Sequence, residues 1–395
     1  MTKSRILTYV LAIITIASLV VLIRYHNANH IETQSEFISS LTTGKNVTLK
    51  NGTYTLTADI TKISNSVTIQ GHNNSIIDGG KHKISVSNLN DVTFRNITFK
   101  NFSQIDLPSS ANIKFENCTF IDFIDFGITL SNFNNVQFIE SKIHNIGSSS
   151  KNPTYQGSGI YANVGNKLIV QDCEISHTYG HGGVFLIKVT NIHINRNKIH
   201  DTAFRGINFY GGISTGLIDD NDIWNCGSIN QTNSGVGANG IYSAGSTYDV
   251  TVSNNRISNV LENGIEGLYH IIEGNIINGT GLDTINHPTP SIEGIYPFQP
   301  RDSNQIVIVR KNKIKNTKGA GIKYYSSRAI SNYKIVDNII SDNRYNENNG
   351  IDLNSDHSYA NISVIGNKVK NKATVIYLRN KPSSNIVVDK NKLVN

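Results

Sequence analysis

The chain has 395 residues, with 36 Lys and Arg against 29 Asp and Glu and a net charge of +7, long enough for one elongated domain or two ordinary ones. Its three cysteines, Cys118, Cys173 and Cys226, exclude a disulfide-built scaffold, and no Cys/His spacing of the zinc-binding kind occurs. With Lys3, Arg5 and Arg24 set aside, 33 basic residues face 29 acidic ones, a balance of +4 without a dense Lys/Arg run. That suits an acidic polymer or an anionic cell surface and argues against nucleic acid.

The N-terminus differs in kind from the rest. Residues 1–5 (MTKSR) are a short basic tail, and Ile6 to Ile23 runs 18 residues without a charge before Arg24. The length is short for a membrane span and long for a signal-peptide core, and no small-x-small cleavage site comes after it. Positive charges before the apolar run keep the N-terminus inside and export the remainder. The expectation is a single-pass signal-anchor helix over 6–23 with a linker over 24–32. The alternative is a cleaved signal peptide and secretion. Thr33 to Thr43 (TQSEFISSLTT) reads as a short helix that caps the open end of the domain C-terminal to it.

From there the chain repeats itself. One phrase, apolar-x-x-(small or Asn)-x-apolar, recurs as FENCTF, VQDCEI, INRNKI, IDDNDI, VSNNRI, IEGNII, VRKNKI and VDKNKL. A second, x-Gly-apolar-x-apolar, recurs between them as FGITL, SGIYA, GGVFL, RGINF, NGIYS, NGIEG, EGIYP, AGIKY and NGIDL. Each unit holds two or three short alternating apolar runs separated by Asn, Gly and Ser turns, and none buries a core alone. Stacked as coils, such units place equivalent residues about 4.8 Å apart around one apolar interior. The expected fold is all-β: a single-stranded right-handed parallel β-helix over 33–395, of about a dozen coils.

The opening stretch GKNVTLKNGTYTLTADI…VTIQGHNNSIIDGG resembles the first coils of the pectate-lyase-like superfamily. The resemblance runs from about Asn46 to the C-terminus, and it implies fold more than activity.

Aligning the first phrase puts Cys118, Ser141, Cys173, Asn197, Asn221, Asn255, Asn275, Asn312, Asn338, Asn367 and Asn391 in one column. Eight successive Asn read as a turn ladder bonding from coil to coil. Cys118 and Cys173 lie two coil steps apart, about 9–10 Å, beyond disulfide reach. A later column, Asn145, His177, Asp201, Asn225, Asn259 and Asn316, is again turn chemistry, and Asp219 and Asp220 sit in the turn phrase. None of these is expected to be catalytic.

The second phrase points its apolar residues inward and the residue between them outward. That outward column reads Thr129, Tyr161, Phe185, Asn208, Tyr242, Glu266, Tyr296, Lys323 and Asp352. Two residues on, it reads Asn163, Ile187, Tyr210, Ala244, Leu268, Phe298, Tyr325 and Asn354. A row of exposed aromatics marks an interaction surface, and sugar rings stack on such side chains. Longer segments before Gly159, Gly240 and Gly294 flank shorter ones, making walls around a trough.

Three readings of the trough compete. Elimination or C5-epimerisation of a uronate polymer needs a cation or amide at the carboxylate, a base for the α-proton and an acid at the leaving oxygen. Arg205 with Asn208 supplies the first, His181 the second, and Tyr210 or Tyr242 the third. Tyr161, Phe185, Asn208, Glu293, Tyr296 and Lys323 would then bind the chain. Glycoside hydrolysis needs two carboxylates, which Glu266 with Glu293 or Glu262 provides. Gly180–Gly182 (GHG) is similar to a motif of polygalacturonase relatives and would place His181 at its histidine. Their Arg-x-Lys signature is absent, since GIKYY offers Lys323 without the arginine. The third reading is a non-catalytic surface solenoid that grips glycan. No cofactor is implied, and the trough lacks a dense Asp cluster, so calcium is disfavoured.

Overall fold

The computed structural model describes residues 30–31, 33–72, 74–147, 157–211, 215–228, 237–281, 292–299, 304–326, 330–342, 349–355, 357–370, 374–379 and 384–394. The apolar segment 6–23 and most of the linker lie outside them. So do residues 148–156, 229–236 and 282–291, the greater part of the long segments expected to wall the trough before Gly159, Gly240 and Gly294. Among the described residues no helix is long and apolar enough to cross a membrane.

Among the described residues one helix is present, Gln34–Ser40. Thr33 caps it in a reciprocal box: its hydroxyl accepts from the Glu36 amide while the Glu36 carboxylate accepts from the Thr33 amide. Its Phe37 is buried against Tyr54, ring centres 5.8 Å apart, closing the first coil. His30 and Ile31, expected in the linker, already pair with Thr48 and Leu49.

All else is parallel sheet. Among the described residues, strands join one sheet of 22 and one of 14, so fourteen coils stack where about a dozen were expected. Most coils put a Gly-phrase strand and the strand before the Asn turn in the larger sheet, and the strand after that turn in the smaller. Bends between strands are made by residues at positive φ, largely Asn and Asp, whose short side chains tolerate that conformation. The expected turn column conforms: Asn145, His177, Asp201, Asn225, Asn259 and Asn316 have φ between 49° and 57°.

The predicted ladder is hydrogen-bonded along its whole length. The amide N–H of Cys118 donates to Ser141 Oγ, Ser141 N–H to Cys173 Sγ, and Cys173 N–H to Asn197 Oδ1. From Asn197 to Asn367, each Asn donates both its backbone N–H and its side-chain amide to the Oδ1 of the next. Phe94, Phe115 and Phe138 stack inside at 5.0 Å intervals. The three thiols are free and buried, and desolvation pushes each up to about 12.

Candidate functional site

The Gly-phrase strands fall into register as the sequence required. Thr129 pairs with Tyr161, Tyr161 with Phe185, Phe185 with Asn208, Asn208 with Tyr242, Tyr242 with Glu266, and Glu266 with Tyr296. Lys323 and Asp352 pair further on. The glycine opening each phrase is a packing necessity, since a Cβ at Gly240 would lie 2.7 Å from the Gly264 carbonyl.

The second column departs from expectation at one place. Asn163, Ile187 and Tyr210 pair as predicted, and Tyr210 stands 56% exposed. Leu268 does not join them; it is buried in the core. Gly267 takes φ 137°, the register slips beyond Tyr242, and the side chains beyond it change face. Tyr269, next to Leu268, is fully buried as well.

At the centre, the Arg205 guanidinium carbon lies 3.8 Å from the centre of the Tyr242 ring. Burial lowers the pKa of Arg205; Tyr242, Glu262 and Glu266 act in the opposite direction. The Nε of Arg205 is buried and finds no hydrogen-bond partner among the described residues. Gly237 leaves the space in which the charges gather. A Cβ there would meet Glu262 Oε2 at 2.5 Å, Arg205 Nη2 at 3.0 Å and Asn239 Nδ2 at 3.2 Å. Tyr242 is raised by burial, with Arg205 lowering it.

One coil on, Glu266 is held by two amides that the sequence pattern did not single out. Asn239 and Asn263 donate to its Oε2 at 3.1 and 2.7 Å. Both are fully buried and occupy the position before the phrase glycine. They form a second short ladder: Asn263 N–H donates to Asn239 Oδ1, and Glu293 N–H to Asn263 Oδ1. The signal was present in NGIYS and NGIEG, where Asn precedes Gly on successive coils. Glu266 Oε1 accepts no hydrogen bond from the described residues. Burial raises the Glu266 carboxyl above its ordinary range, against the two amides and Arg205.

The other predicted residues take different places. Glu293 is buried, and its oxygens are occupied by Lys323 Nζ at 2.9 Å and the Ile292 amide at 2.7 Å. Phe185 is 1% exposed and lies between the rings of Tyr161 and His181, at 5.4 and 5.7 Å. Asn208 donates to the His181 carbonyl at 3.1 Å, and its buried Oδ1 has no partner among the described residues. Tyr296, half-buried, is pushed up to about 12 by burial. His177 is outside the groove, its ring 4.6 Å from His144. Among the described residues, no group of three or more His, Cys, Asp or Glu is placed to hold a metal ion.

Residues 127–296 match the family model described as a right handed beta helix region. No curated protein matches the chain by sequence. Among solved structures, the mannuronan C-5 epimerase A-module of Azotobacter vinelandii is 13% identical, with a TM-score of 0.54 over 90% of this chain and 96% of that one. An α-1,3-glucanase catalytic unit from Streptomyces thermodiastaticus is 12% identical, TM-score 0.56, over 92% and 66%. A surface adhesin of Streptococcus pneumoniae is 15% identical, TM-score 0.52, over 91% and 85%. The chain is therefore a right-handed parallel β-helix, the fold of the pectate-lyase-like superfamily that its sequence resembles. At these identities the likenesses carry the fold alone.

Proposed function

We propose that the chain is an exported carbohydrate-active enzyme, a lyase or C5-epimerase of a uronate-containing polysaccharide. The observation that carries this is the Arg205–Tyr242 pair: a half-buried cation, whose buried Nε–H has no partner among the described residues, lying against a phenol on the groove floor. A uronate seated there has its carboxylate neutralised by Arg205, with Asn208 adjacent, which acidifies the C5 proton. His181, one coil away, takes that proton. Tyr242 or Tyr210 then either protonates the C4 oxygen as it departs, leaving a C4–C5 double bond, or returns a proton to C5 from the opposite face. Tyr161, Tyr296 and Lys323 extend the binding surface along the axis. The Azotobacter epimerase, which by its name acts on mannuronan, shares the fold.

A second reading has its own support. Glu266 has the raised carboxyl of a proton donor, and Glu262 lies beside Arg205. That pair suits glycoside hydrolysis; Glu293, tied to Lys323, suits it less.

The test is to offer the protein acidic and neutral polysaccharides while following the ultraviolet absorbance of unsaturated uronate and the appearance of reducing ends. Both signals rising supports elimination. Reducing ends alone would replace the first reading by the second. Solvent-deuterium incorporation without either signal supports epimerisation. Binding without any of these outcomes leaves a glycan-gripping solenoid and refutes the enzyme.

A further inference from the structure

The smaller sheet, whose strands alternate along the chain with those of the groove, carries an unbalanced charge. The smaller sheet presents two outward rows along the solenoid axis. In its middle coils, basic residues in these rows meet acids on the neighbouring coil: Lys142 meets Glu174 at 3.8 Å and Arg256 meets Asp222. Toward the C-terminus that pattern stops. One row runs Ile276, Lys313, Ile339, Lys368, Lys392. In the other, Lys315 lies beside Ser341, and Lys370 beside Val394. All five lysines are exposed. None forms an ion pair with a described residue.

Lys368 and Lys392 stand directly opposite one another on adjacent strands. Like charges so placed oppose the pairing, and an anion lying across both would relieve that repulsion. Ile276 and Ile339, 39% and 42% exposed, lie in the same row, with Lys313 between them. They line a shallow depression of about 220 Å³ together with Lys313, Lys315 and Ser341. Exposed Asp337 and Asp342, both at positive φ, and exposed Asp389, the last residue of its strand in the larger sheet, flank these rows, so the positive surface is a stripe two rows wide. Lysines recur along it at intervals of one and two coils, about 5 and 10 Å. A planar anionic membrane would meet the flanking aspartates. A linear polyanion lying along the axis meets only the lysines, and the isoleucines accept the C–H faces of its sugar rings.

We propose that this stripe is a second binding site, for an acidic polysaccharide bearing one carboxylate per sugar, separate from the groove and independent of the reaction performed there. The test uses the full chain with Arg205→Ala and Tyr242→Phe, which weakens the groove's own grip, and measures binding of polygalacturonate by calorimetry at low and physiological salt. Replacing Lys313, Lys315, Lys368 and Lys370 by Gln is expected to weaken binding by about tenfold or more and to flatten its salt dependence. A control set, Lys45, Lys62, Lys167 and Lys188 to Gln, removes the same charge from other exposed positions and is expected to change affinity by less than about twofold. Equal affinity in the stripe variant and its parent overturns the proposal, as does an equal loss in the control set. Binding to vesicles of anionic phospholipid in preference to polygalacturonate also overturns it and makes the stripe a membrane contact. Undiminished groove activity in the Arg205→Ala, Tyr242→Phe chain, with stripe binding intact, refutes only the groove reading.

Discussion

Arg205 and Tyr242 sit on adjacent coils, and the guanidinium of one lies over the ring of the other at 3.8 Å. A cation held on an aromatic face keeps its charge while losing water, so it stays available to an anion on the open side. Arg205→Ala is expected to lower kcat/KM on a uronate polymer by about 10²–10³-fold. Arg205→Lys should recover only part of this, because a point charge on a flexible stem does not reproduce the planar stack. Steady-state kinetics on both variants check it; wild-type rates in Arg205→Ala would remove the residue from the site.

Glu266 separates the two chemistries. Glu266→Gln keeps the shape and can still meet the Asn239 and Asn263 amides, but no longer ionises. A hydrolase is expected to lose about 10²–10⁴-fold in kcat, an elimination or epimerisation enzyme less than about tenfold. Full activity of this variant on every substrate would place Glu266 outside the chemistry.

The same carboxyl ties stability to pH. Its folded-state pKa lies above the ordinary 4.5 because burial disfavours the charge. The folded state therefore holds its proton more tightly than the unfolded chain does. That contribution is complete below the unfolded pKa and is lost as pH rises through the folded one. Asp352, also raised by burial, acts in the same direction from 3.8. Urea midpoints measured from pH 4 upward should fall less steeply in Glu266→Gln than in the parent; an unchanged slope refutes the linkage.

The ladder carries mechanical weight. Asn275 is fully buried; it receives from Asn255 and donates to Val252 O and Asn312 Oδ1. Asn275→Ala leaves buried partners unsatisfied and is expected to cost about 2–4 kcal/mol, read from denaturant unfolding. Asn391→Ala, at the less buried end of the ladder, should cost less.

Gly267 places Glu266. With φ 137° and Ser243 Cβ only 2.6 Å from where its own Cβ would stand, it admits no side chain without movement. Gly267→Ala is expected to destabilise by about 1–3 kcal/mol and to reduce activity beyond what that loss explains, since the Glu266 strand must shift. Activity unchanged at equal folded fraction would show that the bulge serves packing only.

Much of the architecture was legible because a solenoid repeats. The Asn column from Asn197 to Asn391 and the outward column from Thr129 to Asp352 emerge from counting residues between phrases, since each coil must stack on the last at strand spacing. The helix at Gln34–Ser40 was legible from Thr33 and Glu36, whose spacing is local chemistry. Leu268 was misplaced because one glycine at positive φ reverses strand parity, and sequence alternation assumes that no such break occurs. Asn239 and Asn263 did not stand out because an Asn before Gly reads as a turn residue until a carboxylate is seen against its amide.

The sequence alone determined a parallel β-helix and the faces of its sheets, because periodicity dictates which side chains share a row. The tertiary structure decided which members of a row touch. It paired Glu293 with Lys323, laid Arg205 on Tyr242, buried Phe185 and left five lysines of the smaller sheet without an acid partner among the described residues. Those outcomes depend on side-chain reach and burial across coils 20 to 40 residues apart in the chain, which no local pattern encodes.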